Sequence, residues 1–379
     1  MTTGGDGVKM DAQVIIVGGG PAGAWLAYQL ARMGVETLVL EKHALPRYKA
    51  CGGALSLKAV NCLKAKDVWP HIPIDREISD FEFAYSRYSP IPFQYHGPPI
   101  RLVQRSQFDH ALLHLASAAG ARLIQCRVHQ VSRGNRVMMV ETNRGTFRAH
   151  YVVGADGAGS IVARSFKLNP GISFSAFQAE VPVDEYPGLA ERFKDKIFLQ
   201  WGRLPNGYGW VFPKRTGLSV GLGSRSSGPV LWGAFTSFLT ELGVDWKRIE
   251  VHGHRIPVGG RSVVSGERFL LIGDAAYLAE PFTGEGIYYA LRSAELAASC
   301  LVKGRIGRYS SLLRDEIYPE LNWAMKMEQL FGRWPALFHH LVKRNPDIIE
   351  HFFAFIHGQA SFHSFYRNIL PQLINIRGS

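Results

Sequence analysis

The first apolar segments of the chain are short and end in turn residues. Residues 14–17 form a β-branched run, the stretch GGGPAG follows at 18–23, and residues 24–33 have the apolar spacing of a buried helix. A second apolar run at 36–40 ends in Glu41. The pattern predicts a strand, a helix and a second strand, which together make one βαβ unit of a parallel sheet.

Beyond this unit, the pattern of apolar and polar residues changes along the chain. Helical spacing is found at 106–119 and again at 286–302, and a helical end region rich in Phe, Trp and His follows. The strand-like runs lie near 122–126, 137–141, 146–150, 197–201, 207–213, 218–222 and 269–273. Those between about 166 and 257 carry alternating aromatic residues, which is typical of antiparallel strands.

The composition excludes several classes of protein. With 46% apolar and 20% charged residues among 379, the chain resembles a globular enzyme rather than a disordered one. The formal charge of +12, from 43 basic and 31 acidic residues, is the unusual feature. No block of five like charges and no nucleic-acid-binding module occurs, so we expect no nucleic-acid partner.

Cysteine usage and hydropathy bear on the cellular compartment. The four cysteines show no C-x-x-C pair and no metal-ligand spacing, so we expect no metal site and a reducing compartment. No run of about 18 apolar residues occurs, which argues against an ordinary transmembrane helix. The expected location is cytoplasmic, and peripheral contact with the inner face of an anionic membrane stays open as an alternative.

The spacing Gly18-x-Gly20-x-x-Gly23 stands between the first strand and the first helix. Glycine allows a tight turn at the first position, close approach of a diphosphate at the second, and helix-on-strand packing at the third. The helix N-terminus then offers free N–H groups and a positive dipole end to the diphosphate. Glu41 is placed to accept hydrogen bonds from a ribose diol and to repel a 2′-phosphate, which favours FAD or NAD over NADP.

Two later segments favour FAD over NAD. The stretch GADGAGS at 154–160, which contains Asp156, follows an apolar strand. Asp274 follows the strand at 269–272, where its carboxylate can bind a ribityl hydroxyl. The loop at 281–286 opens a helix whose N–H groups and dipole can stabilise the negative charge that a reduced flavin develops at N1 and O2.

Together with the segment RSQFD at 105–109, these motifs resemble the flavoprotein monooxygenase and reductase superfamily, which includes p-hydroxybenzoate hydroxylase. The resemblance covers about 11–165 and 260–305 and implies an FAD cofactor. The residues that it assigns to FAD binding are Gly18, Gly20, Gly23, Glu41, Lys42, Arg105, Asp156, Asp274, Pro281, Gly284, Gly286 and Ile287.

Two further stretches resemble one subgroup of that superfamily, the geranylgeranyl reductases. The segment PRYKACGGAL at 46–55 looks like their P-R-x-K-x-C-G-G segment, and YGWVFP at 208–213 is similar to their Y-G-W-x-F-P strand. Alternation places Tyr208, Trp210 and Phe212 on one face of that strand. These aromatic residues either wall an apolar substrate channel or form ordinary sheet core.

The candidate catalytic residues are Cys51, Tyr208 and Trp210. In the family that the segment at 46–55 resembles, the cysteine at the position of Cys51 lines the flavin pocket. A lone cysteine is otherwise usually a small buried apolar residue. The proton that a reductase must supply has three candidate sources, which are the Cys51 thiol, the Tyr208 hydroxyl and ordered water.

The predicted fold is α/β, with a glutathione-reductase-like FAD-binding Rossmann domain interrupted by an antiparallel β-sheet substrate domain. The FAD domain comprises 11–80, 100–165 and 260–305, the substrate domain comprises 81–99 and 166–259, and a helical C-terminal region follows at 306–379. Aromatic and basic residues of this last region suit either a cap over the substrate domain or a helix pair at an anionic lipid surface.

The resemblance implies an FAD-dependent reductase that transfers hydride from reduced flavin to double bonds of an isoprenoid chain, so we expect a hydrophobic or lipid substrate. Two alternatives stay open. One is a monooxygenase that hydroxylates an aromatic substrate or a partner protein through a flavin hydroperoxide, and the other is a non-enzymatic FAD scaffold or redox sensor. No second glycine motif is present, so the expected electron donor is NAD(P)H visiting transiently or a donor protein.

Overall fold

Two large β-sheets and a set of helices organise the chain, of which the computed structural model describes residues 9–86, 88–361 and 363–367. The strands are β1 (Ala12–Val17), β2 (Thr37–Glu41), β3 (Ala54–Leu55), β4 (Arg76–Ile78), β5 (Asp80–Tyr85), β6 (Ile91–Gln94), β7 (Ile100–Leu102), β8 (Arg122–Gln125), β9 (Val128–Arg133), β10 (Met138–Thr142), β11 (Gly145–Gly154), β12 (Ile172–Pro182), β13 (Lys196–Trp201), β14 (Gly207–Pro213), β15 (Gly217–Ser224), β16 (Val251–Val258) and β17 (Phe269–Leu271). The helices are α1 (Pro21–Arg32), α2 (Leu57–Lys64), α3 (Arg105–Ala118), α4 (Ile161–Ser165), α5 (Pro187–Phe193), α6 (Gly228–Glu241), α7 (Ile287–Val302), α8 (Tyr309–Glu316), α9 (Tyr318–Arg333), α10 (Pro335–Arg344) and α11 (Asp347–Ile356).

The first sheet grows from the βαβ unit predicted at the N-terminus. β1 pairs in parallel with β2 on one side and with β11 on the other, and Ile15 and Ile16 at its centre are fully buried. The strand order is β8-β2-β1-β11-β10-β9, with β17 paired to β11. Helix α1 packs against α3 and α7. The predicted Rossmann-type α/β arrangement is confirmed.

The second sheet has the order β16-β12-β15-β14-β13-β5-β6. Its strand pairs are antiparallel as predicted, except that β5 and β13 run parallel. The predicted antiparallel sheet is thus observed with one parallel pair, at which β5 comes from an earlier stretch of the chain than β13. Phe235 and Phe238 of α6 pack against one face of the sheet through Val211 and Val220. The opposite face is available to line a site.

The C-terminal helices α10 and α11 pack over the β5 and β6 end of this sheet. The ring of Phe353 on α11 lies 4.4 Å from that of Phe81 and 4.3 Å from that of Tyr95. Only 1% of Phe353 is exposed. Of the two arrangements considered for this region, the contacts are those of a cap over the sheet. Residues 362 and 368–379 of this region lie outside the described residues.

Strands of the second sheet come from 80–94 and 172–258, and those of the first from 12–41, 122–154 and 269–271. A third, small sheet has the strand order β3-β7-β4, and its strands come from the stretches on either side of β5 and β6. The exact domain limits stay a prediction. Within the described residues, no helix has both the length and the apolar character needed to cross a membrane.

Candidate functional site

A cavity of about 1250 Å³ lies between the two sheets. Its wall comprises the turn after β1, the segment before α2, the start of α7, one face of the second sheet, and parts of α10 and α11. Pockets for one drug-sized ligand usually measure ~300–1,000 Å³, so this cavity has room for a cofactor and a second molecule. Apart from Gly23, every site residue predicted from the sequence lines it.

Close backbone contacts explain the glycines of the turn between β1 and α1. Gly18 has a φ of 104°, and a Cβ there would lie 2.4 Å from the carbonyl oxygen of Ala155. A Cβ on Gly23 would lie 1.9 Å from the Gly18 carbonyl oxygen, which is why Gly23 serves packing rather than the cavity wall. At Gly20 only the Arg47 guanidinium comes within 4 Å of the Cβ position. The start of α1 is therefore open to an anionic ligand.

The buried carboxylate of Glu41 shapes the same turn. Its Oε2 accepts a hydrogen bond from the Gly19 N–H at 2.7 Å, and its Oε1 accepts one from the His43 N–H at 2.9 Å. Each carboxylate oxygen has a further acceptor position. Glu41 can therefore hold the turn and still accept a hydrogen bond from a ribose hydroxyl, whereas the sequence had indicated only the second role. Lys42 follows it at the exposed rim of the cavity.

Two guanidinium groups share one carboxylate beside this turn, and we call Arg47, Arg105 and Asp109 the arginine cluster. Arg105 binds Asp109 through Nε and Nη2, at 2.8 and 2.9 Å from the two carboxylate oxygens. Nη2 of Arg47 lies 3.2 Å from Oδ2 of Asp109, whose side chain is fully buried. Because two positive charges face one negative charge, the cluster keeps a net positive charge for an anion in the cavity. Sequence reasoning found Arg105 but missed its ion pair with Asp109, although the two stand at i and i+4.

Asp156 and Asp274 stand after the adjacent strands β11 and β17. Oδ2 of Asp156 accepts hydrogen bonds from two backbone N–H groups of α4, at 2.6 and 3.3 Å. Asp156 therefore caps that helix, a role that the sequence did not reveal. Burial raises the pKa of both carboxyls, and at Asp274 the positive charges of Lys49 and Arg105 oppose this rise.

The loop before α7, at 281–286, is held on two sides. Gly284 has a φ of 74° and donates its N–H to the carbonyl oxygen of Glu280 at 3.0 Å. From the second sheet, the Tyr208 hydroxyl donates to the carbonyl oxygen of Thr283. Gly286 and Ile287, where α7 begins, lie in the cavity wall. The first N–H groups of a helix lack an intrahelical acceptor, so this end can receive negative charge.

The two segments that resemble geranylgeranyl reductases pack against each other. A Cβ on Gly52 would lie 2.5 Å from the ring of Phe212, so β14 can approach the Cys51-Gly52 loop only because that side chain is absent. The ammonium group of Lys214, directly after β14, donates to the carbonyl oxygens of Gly52 at 2.6 Å and Val103 at 2.9 Å. Lys214 is 4% exposed, and its burial lowers its pKa to about 8.

The three candidate catalytic residues all line the cavity, but their chemical settings differ. The Sγ of Cys51 accepts a hydrogen bond from the Gly53 N–H at 3.4 Å and interacts with Arg105. The hydroxyl of Tyr208 is engaged with the 281–286 loop, and burial raises its pKa, so Tyr208 is a poor acid in this position. The indole of Trp210 lies across β15, where a Cβ on Gly221 would meet it at 2.0 Å.

One face of the second sheet forms a wall that is polar at its β16 and β12 end. The register aligns His252 with Gln178. The side-chain amide of Gln178 donates a hydrogen bond to Oε1 of Glu180 at 2.6 Å. Lys49 Nζ lies 2.7 Å from Nε2 of His254, and burial lowers the pKa of Lys49 to about 8 and that of His254 to about 3. The alternation of the two histidines was visible in the sequence, but their partners were not.

The same wall becomes apolar toward β13 and β5. The register places Leu199 opposite Trp210 on one side and Phe83 on the other, and Ile197 opposite Phe81. Helices α10 and α11 close this end, and their side chains in the wall are Phe338, Val342, Ile348, Ile349, Phe352, Phe353 and Ile356. Tyr208, Trp210 and Phe212, the aromatic residues of β14, all line the cavity, and Trp210 is at the same time buried. Within the described residues, no group of three His, Cys, Asp or Glu side chains is placed to hold a metal ion.

The residues of the cavity fit FAD. The backbone is open at Gly20, and at Gly286 a Cβ would stand 3.5 Å from the Asp274 carboxylate, so glycine keeps room there for a ligand. The arginine cluster supplies positive charge suited to a diphosphate. Glu41 and Asp274 supply acceptors for the hydroxyls of a ribose and a ribityl chain.

A family model described as an FAD binding domain matches residues 11–190. Fold, site and match define the protein as an FAD-dependent oxidoreductase. The chain is 30% identical over 324 residues to a digeranylgeranylglycerophospholipid reductase of Methanopyrus kandleri, over 78% of this chain and 81% of that protein. It belongs to the geranylgeranyl reductase family, as the sequence had indicated.

A further named relative agrees with this membership. The chain is 30% identical over 319 residues to the chloroplastic geranylgeranyl diphosphate reductase of Oryza sativa, over 77% of this chain and 66% of that protein. It is also 31% identical over 295 residues to an uncharacterized protein of Methanosarcina barkeri, over 76% of this chain and 74% of that protein.

Solved structures show the same fold. A geranylgeranyl bacteriochlorophyll reductase-like protein of Thermoplasma acidophilum aligns with a TM-score of 0.73 and 22% identity, over 96% of this chain and 98% of that one. A flavin-dependent brominase aligns with a TM-score of 0.71 and 18% identity, over 96% and 99%. Since both identities are low, these two alignments speak for the fold alone.

Proposed function

We propose that the protein reduces carbon–carbon double bonds of a geranylgeranyl-type isoprenoid chain. The observation that carries the proposal is the change in polarity along the cavity wall. The polar end fits FAD, and the other end is lined by aromatic and aliphatic side chains and closed by α10 and α11. The names of two relatives, a geranylgeranyl diphosphate reductase and a digeranylgeranylglycerophospholipid reductase, support this substrate class. Bound FAD, once reduced by the electron donor, would supply a hydride to such a double bond, and a proton completes the reduction.

The residues proposed to bind FAD are those that the sequence indicated, with additions from the structure. Gly18, Gly20 and the arginine cluster serve the diphosphate, Glu41 the ribose, and Asp274 the ribityl chain. The start of α7 and the 281–286 loop serve the ring system. Arg47, which the sequence gave no binding role, joins this set because it faces Gly20.

The apolar half of the cavity performs the proposed selection of substrate. Its rings and aliphatic side chains remove an isoprenoid chain from water, which is favourable by about 25 cal/mol per Å² of apolar surface. An isolated alkene accepts electrons poorly, so positive charge developing on the chain must be stabilised. The faces of Trp210 and Phe212 are suited to this by cation–π attraction.

For the proton, the structure favours Cys51 over Tyr208. The Tyr208 hydroxyl is committed to the Thr283 carbonyl, whereas the Cys51 thiol lines the cavity. Lys49 lies nearby, hydrogen-bonded to His254, and both line the cavity. We assign Cys51 the proton-donating role, and Tyr208 and Trp210 the roles of loop support and wall.

The electron donor and the place of action are also proposals. The cavity has one dinucleotide turn, so we propose that NAD(P)H visits transiently or that a donor protein reduces the flavin. Since the proposed substrate is a lipid chain, we further propose a cytoplasmic protein that collects its substrate at the inner face of an anionic membrane.

Anaerobic reoxidation tests the proposed reaction. The purified holoprotein is reduced with dithionite under argon, geranylgeranyl diphosphate is added, and the visible flavin absorbance is followed while mass spectrometry tracks the product. We expect reoxidation coupled to a product with added hydrogen. Reoxidation that requires oxygen and yields an oxygenated product would replace the reductase by a monooxygenase, and no substrate-linked change would leave an FAD scaffold.

A matched pair of variants tests the location of the chain. Leu199→Trp adds a ring in the middle of the apolar wall, and Val230→Trp adds the same ring at a position that is 61% exposed. We expect Leu199→Trp to lower kcat/KM for a geranylgeranyl chain by about tenfold or more while a shorter geranyl chain loses less. Val230→Trp should behave like the wild type, and equal losses for both chain lengths would contradict this placement.

A further inference from the structure

The carboxylate of Glu280 lies beneath the loop that leads into α7. Its side chain is fully buried, and both of its oxygens accept hydrogen bonds from that loop. The donors are the N–H of Phe282, the N–H of Thr283 at 2.9 Å and the hydroxyl of Thr283. The backbone of Glu280 closes the loop as well, because its N–H donates to the Glu285 carbonyl at 3.0 Å. One side chain thus determines the shape of the segment that precedes the α7 N-terminus.

Three elements besides the loop turn titratable groups toward Glu280. Lys58 comes from α2, Tyr208 from β14 and Tyr289 from α7. The ammonium group of Lys58 is already paired with Glu285 at 3.2 Å. Among these groups, no cation forms an ion pair with Glu280 alone. The ionised form of Glu280 is therefore stabilised mainly by the hydrogen bonds that the loop donates.

Burial and hydrogen bonding act on this carboxyl in opposite directions. Burial raises the pKa of Glu280 to about 7, while the donors of the loop and the charge of Lys58 oppose the rise. A protonated carboxyl must itself donate, and of its three partners only the hydroxyl of Thr283 can turn and accept. Both protonation states are consequently accessible near neutral pH with the loop in place.

We propose that Glu280 takes up one proton when the FAD held at this loop is reduced by two electrons. The balance is two electrons from the reductant, one proton to the flavin ring, which then carries one negative charge, and one proton to the carboxylate of Glu280, which becomes neutral. The negative charge gained by the ring opposes the charge of the carboxylate, so proton uptake removes the repulsion. The inference rests on the FAD site and not on the substrate, so it stands or falls independently of prenyl reduction.

The midpoint potential of the holoprotein tests the proposal. In a two-electron couple, each proton taken up changes the potential by about 30 mV per pH unit, because tenfold in an equilibrium constant corresponds to about 30 mV. Dithionite titration under argon between pH 8 and 9, where the carboxyl of the oxidised protein is ionised, should give a slope near 60 mV per pH unit for the wild type and near 30 mV for Glu280→Gln. Glu250→Gln, at a side chain that is 84% exposed, should match the wild type. Equal slopes for Glu280→Gln and the wild type would overturn the proposal.

Infrared difference spectroscopy gives a second readout that does not depend on the folding of Glu280→Gln. The reduced-minus-oxidised spectrum of the wild type should contain a carbonyl band of a newly protonated carboxyl group that shifts in D₂O. Glu280→Asp keeps a carboxyl group and should move this band, whereas Glu250→Gln should leave it in place. Absence of the band in the wild type, or a band that Glu280→Asp leaves unmoved, would refute proton uptake at Glu280.

Discussion

The buried ammonium group of Lys214 offers a quantitative test of how the site is held together. It donates to the carbonyl oxygens of Gly52 and Val103 at 2.6 and 2.9 Å and thereby fixes the loop that carries Cys51. We consider the change Lys214→Met, which keeps the length and apolar stem of the side chain but removes the charge and both hydrogen bonds.

The magnitude follows from the pKa of Lys214. Burial lowers it from its ordinary 10.5 to about 8, and this difference corresponds to about 3 kcal/mol. Between about pH 8 and 10.5 the unfolded chain keeps the proton that the folded protein has released. The free energy of unfolding therefore rises with pH across this window, by about 2–3 kcal/mol from pH 7 to pH 10 for this group alone.

Equilibrium unfolding in urea at pH 7 and pH 10 measures this contribution. The rise from pH 7 to pH 10 should be smaller in Lys214→Met than in the wild type, by about 2–3 kcal/mol. Lys49, whose pKa is also lowered to about 8, contributes equally to both proteins and cancels in the comparison. Lys303→Met, at an exposed position, serves as the control and should keep the rise. Identical pH dependence in Lys214→Met and the wild type would refute the reasoning.

The same variant tests the positional role of Lys214. Each charge-assisted hydrogen bond contributes about 1.5–3 kcal/mol, so losing the Gly52 contact should release the loop. We expect the thiol of Cys51 to react about tenfold faster with iodoacetamide in Lys214→Met, as followed by mass spectrometry of the Cys51 peptide. An unchanged rate would mean that Phe212 packing alone holds the loop.

Three further substitutions have expected outcomes. Phe353→Ala removes a ring that is 1% exposed and should lower the free energy of unfolding in urea by about 3–5 kcal/mol, and a loss below about 1 kcal/mol would show that α11 is not part of the core. Gly221→Val places atoms where the Trp210 ring lies, 2.0 Å from the Cβ position, so it should shift tryptophan fluorescence and destabilise the fold by about 1–3 kcal/mol, with an unshifted spectrum as the contrary result. Glu41→Gln should raise the Kd for FAD by about tenfold in a flavin fluorescence titration through loss of a charge-assisted hydrogen bond, and an unchanged Kd would remove Glu41 from the FAD site.

The nucleotide-binding unit could be predicted from sequence because its determinants are local. The glycines, the first strand and helix, and Glu41 fall within one short stretch, and each has a conformational or packing reason to be the residue it is. The predicted strand at 14–17 is Ala12–Val17 in the structure, and the predicted helix at 24–33 is Pro21–Arg32. The differences are at the ends, and α1 begins at Pro21, a residue that the first turn of a helix accommodates.

Contacts between distant parts of the chain could not be predicted in this way. Lys49 and His254 are 205 positions apart, and Tyr48 reaches Glu180 across 132. The parallel pairing of β5 with β13 joins strands whose own patterns resemble ordinary antiparallel ones. Periodicity reports which face of an element is apolar, but it does not report which element lies opposite that face.

Gly52, in one of the two resemblance motifs, and Gly221, in the neighbouring strand β15, show how such motifs can carry long-range information. Gly52 and Gly221 have no conformational need of a positive φ, yet a side chain at either position would collide with an aromatic ring of β14. The segments CGG and YGWVFP are therefore two halves of one contact, and each is informative about the other. Both segments could be recognised in the sequence, but the contact between them could not be predicted from it.

The excess of basic residues acquires a physical meaning in the arginine cluster. Arg47 and Arg105, with side-chain exposures of 15% and 10%, share the one buried carboxylate of Asp109, so the cluster carries an excess positive charge. Partly buried positive charge in excess of its carboxylate partner carries a desolvation cost. An anionic diphosphate at the open N-terminus of α1 would remove that penalty, so part of the +12 charge is complementary to the cofactor rather than to an external polyanion. Binding of FAD should consequently stabilise the fold as well as complete the site, since a ligand that binds only the folded state shifts the unfolding equilibrium.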